Sequence, residues 1–205
     1  MKTLLKIQTS LLGSSGQSSQ LADRFAATWA ARNPGGRVIT RDLSSETVPH
    51  LTAERFAAFG TKHEERTADQ HAVVAYSDAL IDELRAADVI ALAVPMYNFS
   101  VPSTLRAYFD HIARAGVTFR YTANGPEGLI AGKKAYVFVT RGGFYGEAVD
   151  TQSAYLRQFL GFIGIKDVEF IYAEGLSHGE EVRTKSLATA RHTIAKVLEP
   201  EAIAA

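Results

Sequence analysis

A continuous apolar run near the middle of the chain, residues 89–94 (Val-Ile-Ala-Leu-Ala-Val), limits the possible folds more than any other segment. It is rich in β-branched residues and is followed by Pro95, which has no N–H to continue a strand ladder. A strand without polar alternation has to be covered on both faces, as the central strands of parallel sheets are. The run therefore predicts a central parallel strand with helices on both sides.

Other segments repeat this alternation of strand and helix. Short strand-like runs lie at residues 4–7, 37–41, 135–140 and 168–173. Apolar residues at helical spacing predict helices over residues 21–29, 73–84, 102–112, 153–163 and 180–197. Residues 43–66 show neither pattern, and we expect an irregular insertion there. Five strands that alternate with helices predict an α/β fold with a doubly wound parallel sheet, in a single domain over residues 1–205.

The composition excludes several classes of function. The 22 basic and 22 acidic residues balance, and no cluster of lysine and arginine provides a nucleic-acid-binding surface. The absence of cysteine excludes disulfides, thiolate catalysis and cysteine-ligated metal centres. No apolar run is long enough to cross a bilayer, and Lys6 and Gln8 interrupt the apolar start short of a signal-peptide core. We therefore expect a cytoplasmic protein that binds neither nucleic acid nor membrane.

The sequence also lacks motifs for hydrolysis and for metal binding. It contains no G-x-S-x-G nucleophile turn and no H-E-x-x-H helix. The histidine and glutamate runs at residues 63–65 and 178–181 lack the spacing of metal ligands, so we expect solvated faces and no metal site. His111 is expected on an ordinary helix face. Any redox chemistry must then come from a bound cofactor.

The loop after the first strand suits a phosphate group. Residues 10–19 carry no charge, hold five serines and two glycines, and open onto a helix N-terminus. Backbone N–H groups and the helix dipole favour an anion there, and serine hydroxyls add donors. An ordinary flexible turn explains the same composition equally well. The loop is neither a Walker A motif nor a G-x-G-x-x-G fingerprint, which leaves a phosphate-bearing mononucleotide as the nucleotide candidate.

Two further loops, after the third and fourth strands, suit a planar ring. Residues 95–102 combine a thioether, an amide and two aromatic rings at the end of the central strand. Residues 140–146 contain paired glycines, which expose backbone donors. Aromatics that cap the sheet, or a plain turn, would explain each loop taken alone. Together with the phosphate-like loop, at the edge where parallel sheets bind ligands, they predict FMN.

A set of characteristic segments begins at the end of the third predicted strand. They are Pro-Met-Tyr-Asn-Phe at 95–99, Tyr-Phe-Asp at 108–110, Arg-Ala-Gly-Val-Thr-Phe-Arg-Tyr-Thr at 114–122, Asn-Gly-Pro-Glu-Gly-Leu at 124–129, Gly-Lys-Lys at 132–134, Arg-Gly-Gly at 141–143 and Leu-Gly-Phe-Ile-Gly at 160–164. From residue 95 to residue 143 the chain closely resembles the family of FMN-dependent NADH:azoreductases and quinone reductases. The resemblance covers nearly the whole chain and is densest in its middle third.

The resemblance implies a flavodoxin-like fold with strand order 2-1-3-4-5 and a homodimer that binds FMN without a covalent bond. It implies reduction of quinones and reductive cleavage of azo compounds with NADH or NADPH, by a ping-pong two-electron hydride mechanism that needs no catalytic side chain. The residues implied for the FMN phosphate are Ser10, Gly16, Gln17 and Ser18. Those implied for the ring are Met96, Tyr97, Asn98, Phe99, Thr140, Arg141, Gly142 and Gly143. The family commonly has serine where this chain has Gly16, which leaves Ser14, Ser15 or a backbone N–H as the replacement donor.

The resemblance also implies a substrate pocket with two contributions from elsewhere in the sequence. A flap-like insertion near residues 116–132 carries Tyr121, and its segment from Phe119 to Pro126 is expected to cover the ring; a structural hairpin is the alternative. The helix over residues 153–163 is apolar nearly all round, which indicates either core packing or a partner chain. Because the family builds each site from both chains, Phe162 is expected to form a wall of the partner's pocket.

Two other functions remain open on the sequence. A flavodoxin-like electron carrier or a flavin sensor would share the fold without catalysis, although the balanced charge argues against the docking mode of strongly acidic carriers. An acyl-carrier-protein phosphodiesterase is the third candidate, and the sequence offers no metal cluster or nucleophile for it. Rapid NADH turnover with a simple quinone would distinguish the quinone and azo reductase from both of these alternatives.

Overall fold

The computed structural model describes residues 1–146 and 149–199. The strands are β1 (Thr3–Gln8), β2 (Arg37–Asp42), β3 (Val89–Pro95), β4 (Phe119–Thr122), β5 (Gly125–Gly128), β6 (Lys134–Thr140) and β7 (Asp167–Ala173). The helices are α1 (Gln17–Arg32), α2 (Ala53–Gly60), α3 (Ala68–Ala86), α4 (Ser103–Ile112), α5 (Thr151–Ile163) and α6 (Glu180–Val197), with short 3-10 turns at Gly13–Ser15 and His63–Glu65.

Five parallel strands form the central sheet in the order β2-β1-β3-β6-β7. Numbered among the sheet strands alone, this is the predicted order 2-1-3-4-5, so the predicted fold is confirmed. β3 lies in the middle and is buried from Ile90 to Pro95, as its unbroken apolar sequence requires. Because all five strands are parallel, their carboxyl ends meet at one edge, which we call the carboxyl edge.

The two faces of the sheet bury separate cores. On one face, Leu5 and Ile7 of β1 pack with residues of α3, α4 and α5. On the other, Leu4 packs with α1 and α6, where the fully buried Phe25 lies against the rings of Tyr136 and Phe138 at 4.7 and 5.3 Å. Burying one such side chain contributes about 1.5–3 kcal/mol. Neighbouring residues of one strand therefore hold helices to opposite faces.

The expectation of an irregular insertion over residues 43–66 is wrong. This segment contains α2 and the 3-10 turn at His63–Glu65. The Thr52 side chain accepts a hydrogen bond from the Arg55 N–H and so caps the start of α2. Only Ala58 of this helix is buried, so its apolar stripe was too narrow to be recognised in the sequence. The next helix also starts before the predicted stripe, with a capping box between Thr67 and Gln70.

β4 and β5 form a separate antiparallel hairpin at the opposite, amino edge of the sheet. It follows the end of α4, where the Thr118 hydroxyl donates to the carbonyl of Ile112. It also contacts the end of α5, where the Ile130 N–H donates to the carbonyl of Ile163 at 2.8 Å. Within residues 1–146 and 149–199, no helix is long and apolar enough to cross a membrane. The end of the predicted domain, at residue 205, lies outside the described residues.

Candidate functional site

Three loops meet at the carboxyl edge, as the order of strands requires. The loop after β1 contacts the loop after β3, because the Leu11 N–H donates to the Tyr97 hydroxyl at 3.2 Å and Ser10 Oγ lies 3.4 Å from the same oxygen. The loop after β3 contacts the end of β6 through the Met96 N–H, which donates to the Thr140 carbonyl at 2.9 Å. The segments that the sequence assigned to one ligand therefore form a continuous surface.

The phosphate-like loop ends at the first turn of α1. This turn has no acidic residue, and no side chain caps it. The hydroxyls of Ser18 and Ser19 are buried there and have no hydrogen-bond partner among residues 1–146 and 149–199. A buried polar group without a partner costs about 1–3 kcal/mol, so a ligand that satisfied these hydroxyls would be stabilised by them. Together with the free N–H groups of a helix start, they fit a phosphate. Ser19 is not among the residues that the family resemblance implies for the phosphate, although it lies in the same turn as Gln17 and Ser18.

Gly16 lies directly against Ser10. A Cβ on Gly16 would lie 2.1 Å from Ser10 Oγ and 2.6 Å from Ser10 Cβ. The space of a side chain at position 16 is therefore already filled by the Ser10 hydroxyl, while Ser14 and Ser15 are exposed. The hydroxyl that stands in this space comes from Ser10 and not from Ser14 or Ser15.

The loop after β3 contains a strained turn. Tyr97 and Ser100 exchange two backbone hydrogen bonds of 3.1 and 3.0 Å, and the two residues between them, Asn98 and Phe99, have φ of 50° and 62°. Two left-handed residues between paired bonds are typical of a type I′ turn, which normally uses glycine or asparagine. Phe99 is a bulky exception, and such strain costs about 1–3 kcal/mol. Its side chain is nevertheless 68% exposed.

A cleft of about 620 Å³ opens beside this turn. Met96, Tyr97 and Asn98 line it, with Leu11 of the first loop on the opposite wall. A larger cleft of about 940 Å³ lies at the amino edge, lined by the hairpin and by charged residues such as Lys134 and Asp167. Volume alone would favour the second cleft as the ligand site. The chemistry favours the first cleft as the ligand site, because it contains the strained turn and Leu11 of the phosphate-like loop, whereas Lys134 in the second cleft lies within ion-pairing distance of Asp167.

The loop after β6 exposes backbone donors. The carbonyls of Gly142 and Gly143 accept hydrogen bonds from the N–H groups of Ser177 and Gly175, at 3.0 and 2.9 Å. Within the described residues, no hydrogen bond takes up the N–H groups of Gly142 and Gly143 themselves. The glycine pair therefore has two donors left for a ligand.

Comparison with known proteins agrees with this geometry. The family model described as flavodoxin-like fold matches residues 1–198. The FMN-dependent NADH:quinone oxidoreductase of Cellvibrio japonicus is 55% identical over 195 residues, which cover 95% of this chain and 97% of that protein. FMN-dependent NADH:quinone oxidoreductase 6 of Burkholderia lata is 53% identical over 196 residues, with 95% and 99% coverage. The chain belongs to the FMN-dependent NADH:quinone oxidoreductase family.

Solved structures extend the comparison. An azoreductase from Bacillus anthracis superposes with a TM-score of 0.88 at 27% identity, over 96% of this chain and 98% of that one. A second B. anthracis protein, an FMN-dependent NADH-azoreductase solved in complex with FMN, gives a TM-score of 0.86 at 22% identity, over 97% of this chain and all of that chain. The fold of the quinone oxidoreductase family is thus shared with azoreductases.

In this member of the quinone oxidoreductase family, Arg141 does not present its side chain at the cleft. Its guanidinium is fully buried and binds Asp150 at 2.6 Å, Glu174 at 3.0 Å and Gln152 at 3.2 Å. Burial alone would raise the pKa of Asp150, but hydrogen bonds from Arg141 and Ser153 outweigh it and lower that pKa. Arg141 therefore connects the loop of the glycine pair to Asp150 at the start of α5 and to Glu174 at the end of β7.

Tyr121 and Phe162 lie away from the other predicted site residues. α5 begins where the Thr151 hydroxyl donates to the carbonyl of Phe99, at the carboxyl edge, and its 13 residues end at the hairpin. A helix of this length spans about 20 Å. Tyr121 is 75% exposed on the hairpin, and the Phe162 ring packs 4.4 Å from that of Phe119. Within one chain, the hairpin therefore does not cover the three loops. The predicted flap stays a prediction, and it would require the hairpin of a second copy.

His111 lies on a helix, α4, as expected, and its face is the buried one. Its Nδ1 lies 3.0 Å from the Ala107 carbonyl, and its Nε2 has no partner within the described residues. Its ring lies between those of Phe59 and Tyr76, in edge contacts of 6.2 and 5.7 Å. Burial lowers the pKa of His111. Its neighbours belong to α2, α3 and α4, remote from the cleft.

Proposed function

We propose that this protein is an FMN-dependent oxidoreductase that uses NADH to reduce quinones and to cleave aromatic azo compounds. One observation carries the proposal: two buried serine hydroxyls without partners in the described part of the chain stand at a helix start, and the loop before this helix contacts a strained turn that exposes Phe99. This combination fits a phosphate joined to a planar ring. Two relatives that are more than 50% identical to this chain are FMN-dependent NADH:quinone oxidoreductases.

The chain's residues divide between the two parts of FMN. Ser10, the backbone at Gly16 and Gln17, and Ser18 would hold the phosphate, where the helix start adds its partial positive charge. The ring would lie against residues 96–99, Thr140 and the glycine pair. Arg141 would support the loop that carries the glycine pair, since its own side chain binds Asp150 and Glu174. FMN, when bound, supplies the two-electron chemistry.

The protein contributes position and electrostatics rather than an acid or base. The N–H groups of Gly142 and Gly143 would donate to the polar edge of the ring and stabilise negative charge there. Tyr97 and Phe99 would exclude water from one side of the slot. We propose that this slot admits the nicotinamide donor and the quinone or azo acceptor in turn, which is a ping-pong order of binding. No side chain is assigned a proton-transfer role.

We further propose that the active unit is a homodimer. Tyr121 and Phe162 lie at the amino edge, about 20 Å along α5 from the site of their own chain. They can line a substrate pocket only if they reach the carboxyl edge of a second copy. The exposed rings of Phe99 and Tyr121 give each edge an apolar surface for such a contact. A cytoplasmic location, where NADH is available, completes the proposal.

The first test is an absorbance spectrum of the purified protein reconstituted with FMN, followed by NADH oxidation with and without benzoquinone or an azo dye. We expect flavin bands that bleach with NADH and recover when the acceptor is added. Bound flavin that NADH cannot reduce would favour the electron carrier or sensor. Failure to retain FMN after gel filtration would refute the cofactor assignment itself.

Mixed dimers test the shared site. One variant carries Gly16→Val, which blocks the phosphate loop, and the other carries Tyr121→Ala with Phe162→Ala. If each site takes loops from one chain and rings from the other, random mixing leaves roughly a quarter of the sites intact. Activity of the mixture well above that of either variant is the expected result. A mixture no more active than its components, with dimers verified by mass, would contradict the shared site.

A further inference from the structure

The start of α5 holds the strained turn by its carbonyl groups. Gln152 Nε2 donates to the carbonyl oxygens of Pro95 at 3.1 Å and Ser100 at 3.3 Å. Thr151 Oγ1 donates to the carbonyl of Phe99 at 2.9 Å. Pro95 ends β3 and Ser100 closes the turn, so a single amide group joins the two ends of the segment that carries residues 96–99.

The orientation of the Gln152 amide is itself fixed. Its side chain is fully buried, and its Oε1 accepts from Arg141 Nε at 3.2 Å. The remaining guanidinium nitrogens bind Asp150, Glu174 and the Ser153 hydroxyl. A flipped amide would place its NH₂ group against the guanidinium, donor against donor. The NH₂ group therefore points to the two carbonyls.

The turn needs such external support. Asn98 and Phe99 both lie in the left-handed region, and a backbone of this kind persists only where its surroundings enforce it. The Phe99 side chain contributes little to enforcing it, because it is mostly exposed and its ring meets that of Tyr145 edge-on at 6.2 Å. The two backbone bonds of the turn are local. The contacts that tie it to the rest of the protein on this side come from Thr151 and Gln152.

We propose that Gln152, assisted by Thr151, is a positioning residue that keeps the Tyr97–Ser100 turn in its strained conformation. What the turn binds rests on the proposed function; the support of the turn does not. If the turn in a variant is ordered for only a fraction of the time, FMN affinity falls to that fraction of its full value, since binding must select the ordered form. Faster amide exchange in the turn and a larger FMN dissociation constant should therefore change together.

The test compares apoprotein and FMN-loaded protein for Gln152→Leu, Gln152→Met and Thr151→Val. Gln152→Met preserves most of the buried volume if the leucine variant folds poorly. Ser77→Ala is the matched control, because it removes an equally buried group that donates to a carbonyl, that of His111 at 2.6 Å, away from the cleft. The measurements are hydrogen exchange of residues 96–100 in the apoprotein, the FMN dissociation constant from flavin fluorescence, and the thermal midpoint.

We expect both Gln152 variants to exchange about tenfold faster over residues 96–100 and to bind FMN about tenfold more weakly. Thr151→Val should change both quantities in the same direction by less, and Ser77→Ala should lower only the thermal midpoint. The inference is overturned if the Gln152 variants lose stability as Ser77→Ala does while exchange and affinity stay at parental values. If the parent protein binds no FMN, the proposed function fails, and the apoprotein exchange data still decide the role of Gln152.

Discussion

Replacing Arg141 by methionine separates a structural role from a cofactor contact. The guanidinium is fully buried and pairs with Asp150 and Glu174, whose side chains are only 12% and 24% exposed. Removing one partner from a buried ion pair costs about 3–5 kcal/mol, because the other charge is left uncompensated. For a domain of about 200 residues each kcal/mol lowers the thermal midpoint by roughly 2–4 °C, so we expect a loss on the order of 10 °C.

The assay is thermal unfolding of the apoprotein at pH 7, with Arg120→Met as the matched control. Arg120 also pairs with a carboxylate, that of Glu127 at 2.7 Å, but both side chains are about half exposed, and we expect no measurable change. The reasoning is refuted if the Arg141→Met apoprotein keeps the parental midpoint and loses only FMN binding. That result would place the guanidinium at the cofactor, the ligand that the family resemblance implies for Arg141.

The pH dependence gives a second check on Arg141. The lowered pKa of Asp150 means that its contribution to stability is present above the unfolded value of about 3.9 and is lost as pH falls through the lower folded value. The difference in midpoint between the parent and Arg141→Met should therefore shrink below about pH 4. A difference that stays constant down to pH 2.5 would show that the charge of Asp150 is not involved.

Four further substitutions test the phosphate-like loop, the glycine pair and the buried histidine. Ser18→Ala should leave the apoprotein midpoint unchanged or slightly raised, because an unpartnered hydroxyl is removed, yet weaken FMN binding about tenfold in a fluorescence titration. Gly16→Ala should lower the apoprotein midpoint, because its Cβ would meet Ser10 Cβ, which cannot rotate away; Gly142→Ala should be milder, since only the mobile Ser177 hydroxyl lies at 2.7 Å. The lowered pKa of His111 predicts that stability falls as pH drops below about 6.5, a dependence that His111→Phe should reduce in thermal unfolding at pH 7 and 5.

The sheet could be predicted because its strands are short β-rich segments of the right length that alternate with helical patterns. β3 is the clearest case, and once it is central, the loops after β1, β3 and β6 must meet at one edge. The phosphate-like and ring-like loops were therefore predictable as neighbours. α2 was not, because a helix that buries only Ala58 leaves almost no periodic signal.

The role of Arg141 could not be predicted because arginine is normally exposed, and its carboxylate partners lie 9 and 33 positions further along the chain. The contact of Gly16 with Ser10 depends likewise on how the loop folds back on itself. The position of the hairpin could have been predicted from the sequence. It follows α4, a helix that returns from the carboxyl edge, so its start must lie at the amino edge.

α5 connects the two kinds of site residue. Its first residues hold the turn at residues 97–100, and its last turn holds the hairpin through the bond between Ile163 and Ile130. Leu156 and Leu160 are buried between these ends, and the helix contains no proline. A straight, well-packed helix moves as one body. In the proposed dimer, the position of α5 would therefore fix the cofactor turn of its own chain and also the wall of the partner's substrate pocket. A shift of α5 at either end would change both sites.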